Sequence, residues 1–309
     1  MARPKWVTYT CIYTVLLISL GFFYLSWEGL HSPVTQVLGT HPKQPLTRRR
    51  LLQLATEVSH EFQELDSELQ FYHRCKDCAV VVSSGQLLDR EAGKEIDNAS
   101  CVVRMNDAPT VGYSTDVGSK TTLRVVCFQS LSFLKESLLV GHGKTDMVAV
   151  WGADNPRRRG KASYMMKQVR KTVADSPVRF LSMNHRGEDI VAHMYENELG
   201  IDRVRTNTWV STGVFTMLLA IDMCDSITVY GLSDEDYCRL NPDSVVPYHY
   251  YGRSLLECEM YRRHQAELKA GSHRFFSEKS MFRRWANMLD IQFKYPSWNL
   301  TRSSPDEEK

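Results

Sequence analysis

The chain has 309 residues, and its 38 Lys and Arg against 36 Asp and Glu leave a net charge of +2. That balance, with 24% charged residues, argues against an obligate polyanion partner, so no nucleic acid is expected. A hydrophobic share of 43% is enough for a sizeable core, in one large domain or two small ones.

The first predicted element is membranous. Residues 7–27, VTYTCIYTVLLISLGFFYLSW, contain no Asp, Glu, Lys, Arg or His, and a stretch of about 20 such residues spans a bilayer. Arg3 and Lys5 precede it and Glu28 and His31 follow, so residues 1–6 are expected as a cytosolic tail and the remainder as lumenal. A cleaved signal peptide fits less well, because the apolar region is too long and no A-x-A site follows. The expectation is an uncleaved, single-pass type II signal anchor. Residues 28–74 then read as a lumenal stem, rich in Pro, Gly, Thr and His up to about residue 47. Beyond it, Leu51, Ala55, Val58, Phe62, Leu65, Leu69 and Tyr72 recur at spacings of four and three, an amphipathic helix of about three heptads. That helix either packs on its own domain or pairs with a second copy as a homodimer, and so short a repeat favours the first.

From residue 75 short apolar runs alternate with helical ones. Strands are predicted at 78–82, 101–104, 122–127, 146–151, 178–182, 226–231 and 291–295. Helices are predicted at 87–97, 130–138, 162–173, 187–198, 212–223, 254–269 and 278–289. The alternation predicts an α/β fold, a Rossmann-like, mostly parallel sheet flanked by helices over residues 75–302, with 303–309 a polar tail. With the chain lumenal, Cys75, Cys78, Cys101, Cys127, Cys224, Cys238 and Cys258 meet an oxidising compartment, where disulfides are the default. Cys75-x-x-Cys78 has no second metal-binding pair, so zinc is not expected there. Asn98-Ala-Ser100 and Asn299-Leu-Thr301 are candidate N-glycosylation sites.

Three places concentrate chemistry. The β-branched run Cys78–Val82 breaks at Ser83-Ser84-Gly85, and Cys101–Arg104 ends at Asn106, Asp107 and Pro109. Polar groups at the carboxyl edge of a parallel sheet are where nucleotides bind. Ser211-Thr212-Gly213 precedes an apolar helix, and the amides of such a terminus cradle one phosphate. Two histidines stand in polar-aromatic settings, His249 in Pro247-Tyr248-His249-Tyr250-Tyr251 and His273 five positions before Glu278.

In order and spelling, these stretches resemble the motifs of animal sialyltransferases. Residues 78–126 resemble the large sialyl motif, Trp209–Leu232 the small one, 247–251 the short third motif, and His273–Glu278 the very small motif. The resemblance covers residue 75 to about 298. It implies a catalytic domain over 75–302 that uses CMP-sialic acid as donor, in the Golgi membrane, with no metal or other cofactor. It implies a disulfide between Cys78 and Cys224, closing a loop of over a hundred residues and contributing up to about 4–5 kcal/mol. His273 is implied as general base and His249 as hydrogen-bond donor to the departing phosphate. Ser83, Ser84, Gly85 and Asn106 on one side, and Ser211, Thr212 and Gly213 on the other, are implied to hold the donor. Glu278 is read as organising the start of its own helix, predicted at 278–289.

Within the family, the spellings GKEID, RMNDAP, GYSTDVG, VPYHYY, HRFFSEK and YPSW look most like the α-N-acetylgalactosaminide α-2,6-sialyltransferases. The short stem resembles the subgroup whose acceptor already bears sialic acid, a glycolipid or an O-glycan. Gly252, Gln129 and Val214 depart from that subgroup's usual residues. Two other classes compete. A non-catalytic, membrane-anchored glycan-binding module has no need of paired histidines. A metal-dependent enzyme using a nucleotide diphosphate sugar would use Asp234-Glu235-Asp236, a D-x-D after a strand, which otherwise reads as a solvated acidic loop.

Overall fold

A computed structural model describes residues 45–65, 69–141, 144–154, 159–172, 175–203, 205–266 and 272–300. The predicted tail, the anchor at 7–27, the stem to residue 44 and residues 303–309 lie outside the described residues. Among the described residues no helix is long and apolar enough to cross a membrane.

One eight-stranded sheet organises the chain. In spatial order it runs β1 (Phe62–Glu64), β6 (Arg179–Met183), β5 (Met147–Trp151), β4 (Leu123–Cys127), β3 (Cys101–Met105), β2 (Cys75–Val81), β7 (Cys224–Tyr230) and β8 (Ile291–Lys294). All neighbours pair parallel except the edge strand β1, antiparallel to β6 with Phe62 opposite Met183. The central strands are buried on both faces, so they read as continuous apolar runs rather than alternating ones. From β2 the chain winds one way through β3 to β6 and returns on the other side through β7 and β8. That reversal puts a crevice at the carboxyl ends of β2, β3 and β7.

Helices cover both faces: α1 (Arg48–His60), α2 (Gly93–Asp97), α3 (Ser114–Val117), α4 (Arg159–Thr172), α5 (His185–Leu199), α6 (Thr212–Met223), α7 (Tyr237–Leu240), α8 (Glu257–Ala266) and α9 (Phe275–Met288). Helix α6 is apolar all round and buried along nearly its whole length, as a helix enclosed between a sheet and α1 must be. The Thr56 hydroxyl donates to Asp222 at 2.6 Å, fixing α1 on α6.

Three expectations change. The predicted three-heptad helix stops at His60, and Phe62 enters the sheet as part of β1. Leu51, Leu54, Ala55 and Val58 are buried in the main core, so this stripe faces its own domain and offers no seam to a second copy. Leu69 and Tyr72, predicted on the same stripe, are exposed by 66% and 74%. The predicted helix 87–97 is instead a 3₁₀ turn at Gly85–Leu87 and the short α2. Asp89 and Glu91 adopt φ of 60° and 52°, left-handed conformations that no right-handed helix continues through. The helix predicted at 130–138 is likewise two 3₁₀ turns.

Three disulfides form: Cys75–Cys101, Cys78–Cys224 and Cys238–Cys258. The first two occupy both sulfurs of the Cys75-x-x-Cys78 pair, which removes them as zinc thiolates. Cys78–Cys224 ties β2 to the junction of α6 and β7 across 146 residues. Asn98 and Asn299 are both exposed.

Candidate active site

A cavity of about 370 Å³ opens at the carboxyl ends of β2, β3 and β7, and it gathers most of the predicted site residues. A cavity of about 400 Å³, between α1 and the amino ends of β7 and β8, holds none of the predicted serines, asparagine or histidines.

On the β2–β3 side, Ser83, Ser84 and Asn106 line the cavity. The Ser84 hydroxyl accepts from the Gln86 amide at 3.1 Å, capping the 3₁₀ turn. Asn106 adopts φ of 47°, a turn pinned when Arg124 donates to its carbonyl at 2.8 Å. Its side-chain oxygen accepts from the Cys127 amide at 3.1 Å, so the side-chain NH₂ is left for the cavity. Gly85 is not among the lining residues. Its amide donates to the Pro247 carbonyl at 3.0 Å, and an added Cβ would fall 2.5 Å from Pro247 Cγ. Gly85 is therefore glycine so that the histidine-bearing segment 247–251 can approach, a correction to its expected contact with the donor.

On the other side stands the amino terminus of α6. The Val214 amide returns to the Ser211 carbonyl at 3.1 Å, whereas the Thr212 and Gly213 amides have no intrahelical acceptor. These residues, with Ser211, line the cavity. The Trp151 indole donates to the Thr212 hydroxyl at 3.3 Å and stacks on Phe215 at 4.2 Å, so the end of β5 steadies this terminus.

Both histidines line the same cavity. His249 stacks on Tyr251 at 5.1 Å between ring centres. The Tyr251 hydroxyl donates to Asp107 at 3.0 Å and that of Tyr250 to the Pro109 carbonyl at 2.7 Å, docking the segment on the turn after β3. Burial lowers the His249 pKa, partly opposed by Asp107. His273 Nδ1 lies 3.0 Å from the Trp209 carbonyl, which can only accept, so Nδ1 carries the proton and Nε2 keeps a lone pair. The His273 amide donates to His264 Nδ1 at 3.3 Å. Burial, with a smaller contribution from His264, pushes the His273 pKa down to about 4 against the pull of the Trp209 carbonyl. The imidazole is neutral at pH 7, with Nε2 unprotonated.

Glu278 acts away from its own helix start. It lies in the first turn of α9, but its Oε1 accepts from the Ser211 amide at 3.0 Å and the Tyr195 hydroxyl at 3.2 Å. The carboxylate thus anchors the terminus of α6, and burial pushes its pKa up to about 7 against the hydrogen bonds from Ser211 and Tyr195.

Sequence reasoning missed a buried network beside these groups. Glu257 accepts from the Gln86 side chain at 2.7 Å and from the Ser233 and Tyr261 hydroxyls at 2.9 Å. Lys279 Nζ donates to Ser233 at 3.0 Å and sits 3.7 Å from the centre of the Tyr261 ring. Burial lowers the Lys279 pKa to about 8. Its signal was a charge on an apolar stripe, four residues after Phe275 and three before Phe282. The acidic loop is ion-paired: Glu235 receives two bonds from Arg283, at 2.6 and 3.0 Å, while Asp234 lies 3.5 Å from Arg283 and Asp236 3.1 Å from Arg239.

An open parallel sheet, a helix terminus with free amides and a neutral histidine meet at one cavity. Residues 30–287 match glycosyltransferase family 29 (sialyltransferase). The chain is 38% identical over 228 residues to a human alpha-N-acetyl-neuraminyl-2,3-beta-galactosyl-1,3-N-acetyl-galactosaminide alpha-2,6-sialyltransferase, covering 72% of this chain and 75% of that one. It is 36% identical over 229 residues to alpha-N-acetylgalactosaminide alpha-2,6-sialyltransferase 6 of Bos taurus, covering 73% of this chain and 69% of that one. A crystal structure of a mammalian sialyltransferase aligns at 20% identity with a TM-score of 0.46, over 81% of this chain and 80% of that one. The chain belongs to glycosyltransferase family 29, the sialyltransferases, and is a glycosyltransferase.

Proposed function

We propose that this chain transfers sialic acid from CMP-sialic acid to O6 of a GalNAc residue, forming an α-2,6 linkage with inversion at the anomeric carbon. The acceptor proposed is a GalNAc whose galactose is already sialylated, as the human relative's name describes for that enzyme; its proposed carrier is a ganglioside or an O-glycoprotein. The setting proposed is the Golgi lumen, behind the single-pass type II anchor at 7–27.

The observation that carries this reading is the His273 tautomer. With Nδ1–H held by the Trp209 carbonyl, Nε2 takes the proton from the acceptor O6 as O6 bonds to the anomeric carbon. The bond from that carbon to the phosphate breaks, and its electron pair leaves on CMP. The Thr212 and Gly213 amides receive the phosphate, with His249 donating to it as its charge grows. Asn106, Ser83 and Ser84 hold the nucleotide from the opposite side. A bound donor, anionic at phosphate and carboxylate, raises the His273 pKa from about 4 toward the working pH. A leaving group with a single phosphate calls for no metal, and Asp234 and Glu235 already face Arg283.

The test is transfer of radiolabelled sialic acid by His273→Ala. The expected result is a rate lowered by about 10²–10⁴-fold with CMP binding retained. Transfer at the unaltered rate would remove His273 as the base.

A further inference from the structure

Arg104 and Arg124 are both 0% exposed, and they lie directly opposite each other where β3 pairs with β4. Like charges at opposed positions repel, and a buried charge without a counterion is costly. Yet neither guanidinium has a carboxylate within ion-pair distance among the described residues. Arg104 donates to the Val117 carbonyl at 2.7 Å, to the Lys120 carbonyl at 3.0 Å and to the Thr121 hydroxyl at 3.1 Å, and its second terminal nitrogen is buried without a partner. Arg124 donates to the Asn106 carbonyl at 2.8 Å, to that of Ala108 at 3.0 Å and to the Thr145 hydroxyl at 3.5 Å. Asp97 and Asp107 act on the pair only from beyond ion-pair distance. Arg124 links the pair to the cavity through Asn106, whose backbone it grips and whose side chain lines the wall.

We propose that Arg104 and Arg124 are positioning residues: a buried cation pair behind the Asn106 turn that attracts the donor's anionic phosphate without touching it. This rests on the CMP-linked donor proposed above. Because the charges are buried, their field reaches the cavity with little screening by salt.

The experiment compares binding of CMP and of uncharged cytidine to the full-length, detergent-solubilised protein by titration calorimetry. Cytidine shares every contact with CMP except those of the phosphate. Arg104→Gln and Arg124→Gln are each expected to weaken CMP about tenfold, as the loss of one unit charge acting through an effective dielectric of about 20 would, with cytidine changed less than about twofold. Arg104→Lys, which keeps the charge, is expected to retain CMP binding within about threefold. Equal losses for CMP and cytidine, or none for either, would overturn the proposal and leave the pair a structural clamp. If neither Gln variant folds, the wild-type protein decides. Its preference for CMP over cytidine must fall by less than about threefold between about 0.05 M and about 0.5 M salt, and a larger fall would assign the attraction to surface charge. A wild-type protein that binds cytidine and CMP alike would overturn the donor assignment itself, a separate result from failure of the variants.

Discussion

Glu278→Gln isolates the one carboxylate that joins the very small motif to the small sialyl motif. Glu278 is 1% exposed, and burial raises its pKa from the ordinary 4.5 to about 7. Folded protein therefore keeps the proton at pH values where the unfolded chain loses it. Stability from this group falls as pH rises from 4.5 to about 7, and the loss is complete above that. A displacement of between two and three pKa units corresponds to about 3 kcal/mol. His273 works in the opposite sense: its pKa falls from 6.5 to about 4, so its contribution to stability rises across that interval. The two nearly cancel in the wild-type curve, and the difference between variant and wild type exposes Glu278 alone. The amide of the variant still accepts from Ser211 and Tyr195, at a cost of about 1 kcal/mol for exchanging a charged acceptor for a neutral one. Urea unfolding at a series of pH values should then show the variant no more stable at pH 4.5, and about 2 kcal/mol more stable above pH 7. A difference that does not vary with pH would refute the account of Glu278 as a buried, destabilised carboxylate.

Gly85→Ala places a methyl 2.5 Å from Pro247 and should cost about 1–3 kcal/mol while displacing the segment that carries His249, lowering kcat; wild-type kinetics would contradict the close approach. Cys224→Ser removes the bridge across 146 residues and should lower stability by about 4–5 kcal/mol, read from unfolding midpoints under non-reducing conditions; a loss below about 1 kcal/mol would mean the bridge constrains little. Sialyl transfer is expected to persist in excess EDTA, and complete loss would point to a metal at the Asp234–Asp236 loop in place of its arginine pairs.

Helix α6 shows what the sequence makes plain. Its predicted and observed limits coincide at 212–223, because the cap residue, the apolar run and the following strand leave no other register. The strands of the central sheet were similarly visible, since a run buried on both faces has no competing period. What stayed hidden depends on contacts between distant segments. Phe62 fits the helical stripe of α1 as well as it fits β1, and only pairing with Met183 decides. The serine–glycine turn reads as a donor-binding loop, but Gly85 faces Pro247, more than a hundred and fifty residues away. Glu278 reads as a helix-start residue, which it is, while its acceptor atom serves another helix. Glu257 and Lys279 are ordinary surface types whose burial follows only from the assembled fold.

The contacts that escaped sequence reasoning are the ones that join motif to motif. Gly85 of the large motif receives Pro247 of the third, Tyr251 of the third reaches Asp107 of the large, and Trp209 of the small orients His273 of the very small, whose Glu278 in turn anchors Ser211. Each motif holds a residue of another, so the cavity depends on all four together. The three departures from the α-2,6 subgroup fall outside this set of contacts. Gly252 and Gln129 are exposed and absent from the cavity wall, and Val214 is buried inside α6. Gly252 adopts φ of 66° with nothing near its missing side chain, a left-handed turn that a glutamate would occupy only with strain. Substitution there leaves the contacts between the four motifs in place.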